Sequence, residues 1–272
     1  MNDSRPIGVF DSGIGGLTIV QTLMQELPQE QILYVGDTAH LPYGDKSPAQ
    51  VRSYATAITQ YLVKQDVKAI VIACNTATAV ALDVVRQAAG SIPVYEVISP
   101  AVQAALAVSS SKIIGVIGTR TTVASGAYQE RIHQLEPNAQ VITRATPLLV
   151  PLIEEGWKDT HVMQEVLATY LDRRYFASID SLVLGCTHYP MIARQIQQLL
   201  AHSFPAGVSV ITSSATVAAE VATDLAQRGL LRSTPDVPRH QFWVSDLTPG
   251  FQDHASLFLQ QDVQLRALRL GS

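Results

Sequence analysis

Cys74 and Cys186 are the only thiols of this 272-residue chain, and each closes a short apolar run. Cys74 follows Ile70-Val71-Ile72-Ala73 and leads into Asn75-Thr76, while Cys186 follows Leu182-Val183-Leu184-Gly185 and leads into Thr187-His188. A cysteine buried within a strand ordinarily behaves as a small, inert hydrophobe. At a strand's end, where the next helix begins, its thiolate is favoured by free N–H groups and the helix dipole. Three chemistries are open to such a pair. Redox work is one, although the cysteines lie 112 positions apart rather than in a C-x-x-C motif. A zinc- or redox-binding module using Cys74, Cys186 and His188 is another. The third is proton transfer: a racemase takes a proton from one face of a stereocentre and returns one to the other. That task needs two acid–base groups on opposite faces, one ionised and one protonated. Pyridoxal phosphate would instead require a Schiff-base lysine. The five lysines (Lys46, Lys64, Lys68, Lys112 and Lys158) sit at no clear strand-end motif.

Two further polar segments fall at the carboxyl ends of apolar runs. Asp11-Ser12-Gly13-Ile14-Gly15-Gly16 has the glycines to turn tightly and aim N–H groups at an anion. It is no dinucleotide fingerprint, because Thr18 stands where a third glycine should fall, and no lysine follows to make a P-loop. Asp11 could equally be a helix cap. Gly36-Asp37-Thr38-Ala39-His40-Leu41-Pro42-Tyr43-Gly44-Asp45 reads as a turn-containing loop suited to a substrate.

The elements that must position these groups alternate. Ile7–Phe10 is strand-like and Gly16–Leu27 has apolar residues at helical spacing; Gln31–Val35, Ala49–Lys64, Ala69–Ala73 and Ala79–Ala89 continue the alternation. Uniformly apolar strands between helices predict an α/β class with parallel sheets covered on both faces. A second round repeats the first: Ile114-Gly115-Val116-Ile117 echoes Ile7-Gly8-Val9-Phe10 at an offset of 107, and the run ending in Cys186 echoes the one ending in Cys74 at 112. A third piece, the strand Val208–Ile211 and a helix from Ser214 to Arg228, belongs to neither round and is expected to return to the first sheet. The reading is two similar doubly wound domains, 1–98 plus 210–272 and an inserted 99–209, with the active site in the cleft between them.

Composition excludes much else. The net charge is −4 and charged residues make up 15%, so no basic footprint points to nucleic acid. Apolar residues reach 47%, ample for a core and incompatible with disorder. Two cysteines make no secreted disulfide framework. The opening Met1-Asn2-Asp3-Ser4-Arg5-Pro6 lacks the pattern of a signal peptide, and the apolar run Ala69–Val85 is interrupted by Asn75, threonines and Asp83. No export or membrane segment is expected, and a cytoplasmic protein with reduced thiols is.

Five segments in order, Ile7–Thr18, Tyr34–Thr38, Pro42–Gly44, Ala73–Ala77 and Gly185–Pro190, resemble the glutamate racemase family over nearly the whole chain. The resemblance implies cofactor-independent, metal-free interconversion of L- and D-glutamate, supplying D-glutamate for bacterial peptidoglycan. It makes Cys74 and Cys186 the catalytic thiols, acting on the D- and L-glutamate faces respectively. Asp11 would support Cys74, and His188 and Glu154 would support Cys186. Ser12, Tyr43, Gly44, Asn75, Thr76 and Thr187 match substrate-binding positions, as do Thr119 and Thr122 in the segment Gly118–Thr122. Asp11 and His188 also belong to the expected substrate contacts. Family members differ in oligomeric state, so a homodimer is one expectation. His40 stands where the family usually has Arg, and Ser213 where Asp is common. A preference for aspartate or another amino acid is the alternative within this class.

Overall fold

The computed structural model describes residues 3–204, 207–234 and 236–270, which leaves the first two residues of the N-terminal hexapeptide outside it. The chain opens with β1 Ile7–Asp11, α1 Leu17–Glu26, β2 Ile32–Gly36, α2 Pro48–Lys64, β3 Ala69–Ile72, α3 Asn75–Ala89, β4 Val94–Glu96 and α4 Ile98–Val108. A second set follows: β5 Ile113–Gly118, α5 Arg120–Ala124, α6 Ala127–Leu135, β6 Gln140–Ala145, α7 Leu149–Glu154, α8 His161–Tyr170, β7 Ser181–Gly185, α9 Ala193–Ser203 and β8 Ser209–Thr212. The chain closes with α10 Ser213–Gln227, β9 Gln241–Val244, α11 Pro249–Leu259 and β10 Leu265–Ala267.

These strands form two parallel sheets, ordered β10-β9-β2-β1-β3-β4 and β6-β5-β7-β8. The order 2-1-3-4 within the first reappears as 6-5-7-8 in the second. The register repeats too: Ile7 pairs with Ala69, and Ile114 with Ser181. These are the same 107 and 112 offsets that the sequence carries. β1, β2, β3 and β7 are buried along their whole lengths, as strands covered on both faces must be. The expected α/β class with two similar doubly wound units is what forms.

One placement differs from the sequence reading. The strand at 209–212 pairs with β7 and completes the second sheet, rather than returning to the first. The unit β7-α9-β8 is a crossover of ordinary length, which lays its second strand beside its first. A boundary at 210 therefore cuts through β8. The return to the first sheet comes after α10, when β9 adds beside β2 and β10 beside β9.

Local chemistry sets the helix starts that matter for the site. α2 begins at a capping box, Ser47 accepting from the Gln50 N–H and Gln50 returning to the Ser47 backbone, with Pro48 at the first helical position. α3 begins at Cys74, whose sulfur accepts the Ala77 N–H at 3.4 Å. Cys186 differs from the expectation of a helix start at each thiol. A single 3-10 turn, Tyr189–Ile192, intervenes, and α9 starts only at Ala193. Pro190 sits in the first turn of that 3-10 segment, where its missing N–H leaves no bond unmade. Among the described residues, no helix is long and apolar enough to cross a membrane.

Candidate active site

The carboxyl ends of β1, β2, β3, β5 and β7 converge on one cavity of about 290 Å³. Cys74 and Cys186 both line it, and both are buried free thiols. Ser12, Tyr43, Gly44, Asn75, Thr76, Thr119, Glu154, Thr187 and His188 share its wall. Of the residues expected from the sequence, Asp11 and Thr122 stand one layer behind. Thr122 is buried and ties its hydroxyl to Thr76 and Thr119, at 3.0 and 2.9 Å. Thr76 and Thr119 also meet at 3.0 Å, so three hydroxyls join the two halves of the molecule beside Cys74.

The two thiols sit in different electrostatic settings. Burial, and next the carboxylate of Asp11, push the Cys74 thiol up to about 12. The Ala77 N–H and the Ser12 hydroxyl pull the other way and do not prevail. Asp11 is itself raised by burial, against the opposing influence of His188 and of the Gly16 and Gly13 N–H groups. Its Oδ2 accepts from Gly16 N–H at 2.9 Å and Gly13 N–H at 3.2 Å, so Asp11 occupies the glycine turn that could have faced an external anion. Its other oxygen is buried and meets no hydrogen-bond partner among the described residues. The acid thus braces the glycine turn through one oxygen, while the second is buried without a hydrogen-bond partner among the described residues.

Cys186 faces His188 instead, its Sγ 3.8 Å from Nδ1, while Nε2 of the ring lies 3.0 Å from Glu154 Oε1. Burial alone would lower the imidazole's pKa. Hydrogen bonds to Cys186 and Glu154 outweigh it and raise His188 to about 10. An imidazolium held this way is a counter-charge for a thiolate. Glu154 reaches His188 because α7, starting just after Pro147, ends beside the β7 loop.

Several contributors were not visible in the sequence. Gly15 makes room for His188: a Cβ there would lie 2.4 Å from the imidazole Cε1. Phe258 of α11 packs edge-on to the same ring at 5.6 Å. Asp37 is wholly buried and accepts from Tyr43 Oη at 2.6 Å, Ser245 Oγ at 2.7 Å and His40 Nδ1 at 2.8 Å. His40 also stacks on Tyr54, so this departure from the family pattern braces the loop that carries Tyr43. Ser213, the other departure, accepts a long 3.5 Å hydrogen bond from Asn75 Nδ2, which also donates to Tyr128 Oη at 2.9 Å. Cys74, Cys186 and His188 do not form a metal-ligand set: among the described residues no group of three or more His, Cys, Asp and Glu is placed to hold an ion.

Two doubly wound units each place one thiol on a common cavity, the arrangement expected of an amino-acid racemase. Residues 17–222 match the family model for Asp/Glu/hydantoin racemases. A glutamate racemase of Neisseria meningitidis serogroup C is 46% identical over 98% of this chain and 97% of its own length. The glutamate racemase of Francisella tularensis, solved in complex with D-glutamate, superposes with a TM-score of 0.92 at 41% identity, covering 98% of both chains. An aspartate racemase of Picrophilus torridus shares the fold, with a TM-score of 0.56 at 16% identity over 82% of this chain and 94% of its own. The chain belongs to the Asp/Glu/hydantoin racemase family.

Proposed function

We propose that this chain interconverts L- and D-glutamate without a cofactor, the two thiols serving as paired acid and base. The observation that carries the reading is that Cys74 and Cys186, from equivalent positions of two repeated units, open on one cavity. The Francisella relative's bound D-glutamate supports the choice of substrate. With L-glutamate, a Cys186 thiolate takes the α-proton while the Cys74 thiol delivers its own to the opposite face. With D-glutamate the roles exchange. The asymmetry of the site suits the first direction: Cys74 holds its proton at neutral pH, and Cys186 lies beside an imidazolium. Because an α-proton is very weakly acidic, a thiolate needs positioning and a site that excludes water to remove it.

Asp11 supports Cys74, and His188 with Glu154 supports Cys186. The Ser12, Tyr43–Gly44, Asn75–Thr76, Thr119 and Thr187–His188 groups hold the carboxylates and ammonium, with Thr122 bracing Thr76. The domains are residues 1–98 with the C-terminal segment after β8, and the inserted segment from 99 to the end of β8. The setting is the bacterial cytoplasm, where the product feeds peptidoglycan synthesis, and a homodimer is one assembly open to the chain. The test is a chiral assay with L-glutamate, L-aspartate and no added cofactor. D-Glutamate forming at the highest kcat/KM supports the reading, while racemisation of aspartate alone, or of neither, overturns it.

A further inference from the structure

Thr121 is on no part of the cavity wall, yet it reaches across the seam between the two units. Its hydroxyl lies 2.9 Å from the carbonyl of Gly44 and 3.0 Å from that of Lys46, both on the 3-10 turn Tyr43–Asp45 and its flank. One turn of chain therefore has its two carbonyls gathered onto a single donor from α5 of the other unit. Beside it, Arg120 pairs with Asp45 at 3.0 Å, and both of these do line the cavity. That ion pair is largely exposed, so water and salt screen it and it holds little by itself. Gly44 packs so closely on Thr119 that a Cβ would come within 2.6 Å of the threonine Cβ. Seating the turn thus needs a registered, close approach, and the Thr121 hydroxyl is the group that fixes it.

We infer that Thr121 is a positioning residue, a strap that holds the Tyr43–Gly44 substrate loop of one unit against α5 of the other and so keeps the cavity assembled for substrate. The consequence for catalysis rests on the proposed substrate role of Gly44. The strap itself rests only on the contacts. It touches no reacting atom, so its removal weakens binding of both enantiomers alike and leaves the chemical step in place. Loosening the loop also eases product departure, which holds kcat level or raises it.

The test compares Thr121→Val, which keeps the shape and loses the hydroxyl, with Thr121→Ser, which restores the donor. Two readouts are taken on the full chain: KM and kcat in both directions with glutamate, and amide hydrogen exchange of the peptide spanning residues 41–50 without substrate. Expected are a KM raised about three- to tenfold for both enantiomers in the valine variant, the scale of one lost hydrogen bond, with kcat unchanged or higher. Faster exchange in the 41–50 peptide and recovery of both properties by serine complete the expectation. Unchanged exchange in the valine variant overturns the strap. A kcat loss at constant KM also overturns it, since the hydroxyl would then act in the chemical step. If the wild type fails to racemise glutamate, the proposed function falls, while the exchange comparison still decides whether Thr121 holds the loop.

Discussion

Sγ of Cys186 and Nδ1 of His188 lie 3.8 Å apart, two residues along one loop at the end of β7. Beside Cys74, among the described residues, stand instead the N-terminus of α3, the Ser12 hydroxyl and the nearby charge of Asp11. The two thiols are thus equivalent by topology and unlike by chemistry. One has a cationic neighbour and the other an anionic one.

This asymmetry sets a pH dependence. The folded state holds the His188 proton from the ordinary imidazole range up to about 10. Over that window the folded protein binds more protons than the unfolded chain. The stabilisation is therefore complete below about pH 6.5 and is lost as the pH rises through about 10. The basic limb of kcat/KM is expected to follow the same group. Glu154→Gln removes the carboxylate charge and leaves only a weaker, neutral acceptor for Nε2, so the limb moves toward neutrality. Profiles of wild type and variant check this, and an unmoved limb contradicts it.

Gly15 offers a steric test. Adding one methyl there places carbon 2.4 Å from the His188 ring and 2.6 Å from the Thr187 hydroxyl oxygen, both side chains of the β7 loop. Gly15→Ala is expected to push the imidazole off its line to Cys186 and Glu154. A loss of kcat of about 10²-fold follows, the scale on which misplaced catalytic groups cost. Near-wild-type circular dichroism would show that the fold survives.

A buried ion pair remote from the chemistry provides the stability counterpart. Lys68 Nζ meets Glu30 Oε2 at 2.5 Å with both side chains essentially inaccessible. It also donates to the carbonyls of Asp3 and Leu230, and Glu30 accepts the Arg232 N–H. The pair ties the N-terminal segment to the chain after α10. Lys68→Met strands the Glu30 carboxylate, so unfolding free energy in urea should drop by about 3–5 kcal/mol with kcat unchanged below the transition.

Replacing either thiol by serine substitutes a hydroxyl that ionises far less readily. Cys74→Ser and Cys186→Ser are each expected to lower kcat by at least about 10³-fold in both directions, the upper range of a lost acid–base group. Unchanged thermal unfolding would separate this from loss of fold. Either variant turning over at the wild-type rate contradicts the paired-thiol mechanism.

How far the sequence reaches depends on the range of the contact. Apolar runs ended by Cys74 and Cys186 reveal their strands because each run carries its burial in its own composition, and the repeated offsets reappear as sheet register. The strand at 208–211 was legible but its sheet was not, because an incompletely buried edge strand carries no local sign of which neighbour it pairs with. The glycine turn after β1 was legible as a turn. That Asp11 would claim its N–H groups was not, since an acid before a helix serves equally as a cap or a ligand. Thr121 on Gly44 and Gly15 under His188 join segments that share no periodicity, so only the folded chain brings them together.

In the proposed mechanism two separate single-proton groups face the substrate's α-carbon from opposite sides. The most direct test starts from pure L-glutamate in deuterated water and follows isotope content in both enantiomers during early turnover. Two thiols predict D-glutamate carrying deuterium at Cα while the remaining L-glutamate stays protonated, because the abstracted proton and the delivered deuteron sit on different sulfurs. Rapid deuteration of the L-glutamate pool, at a rate matching or exceeding racemisation, would contradict the account by pointing to one exchanging base.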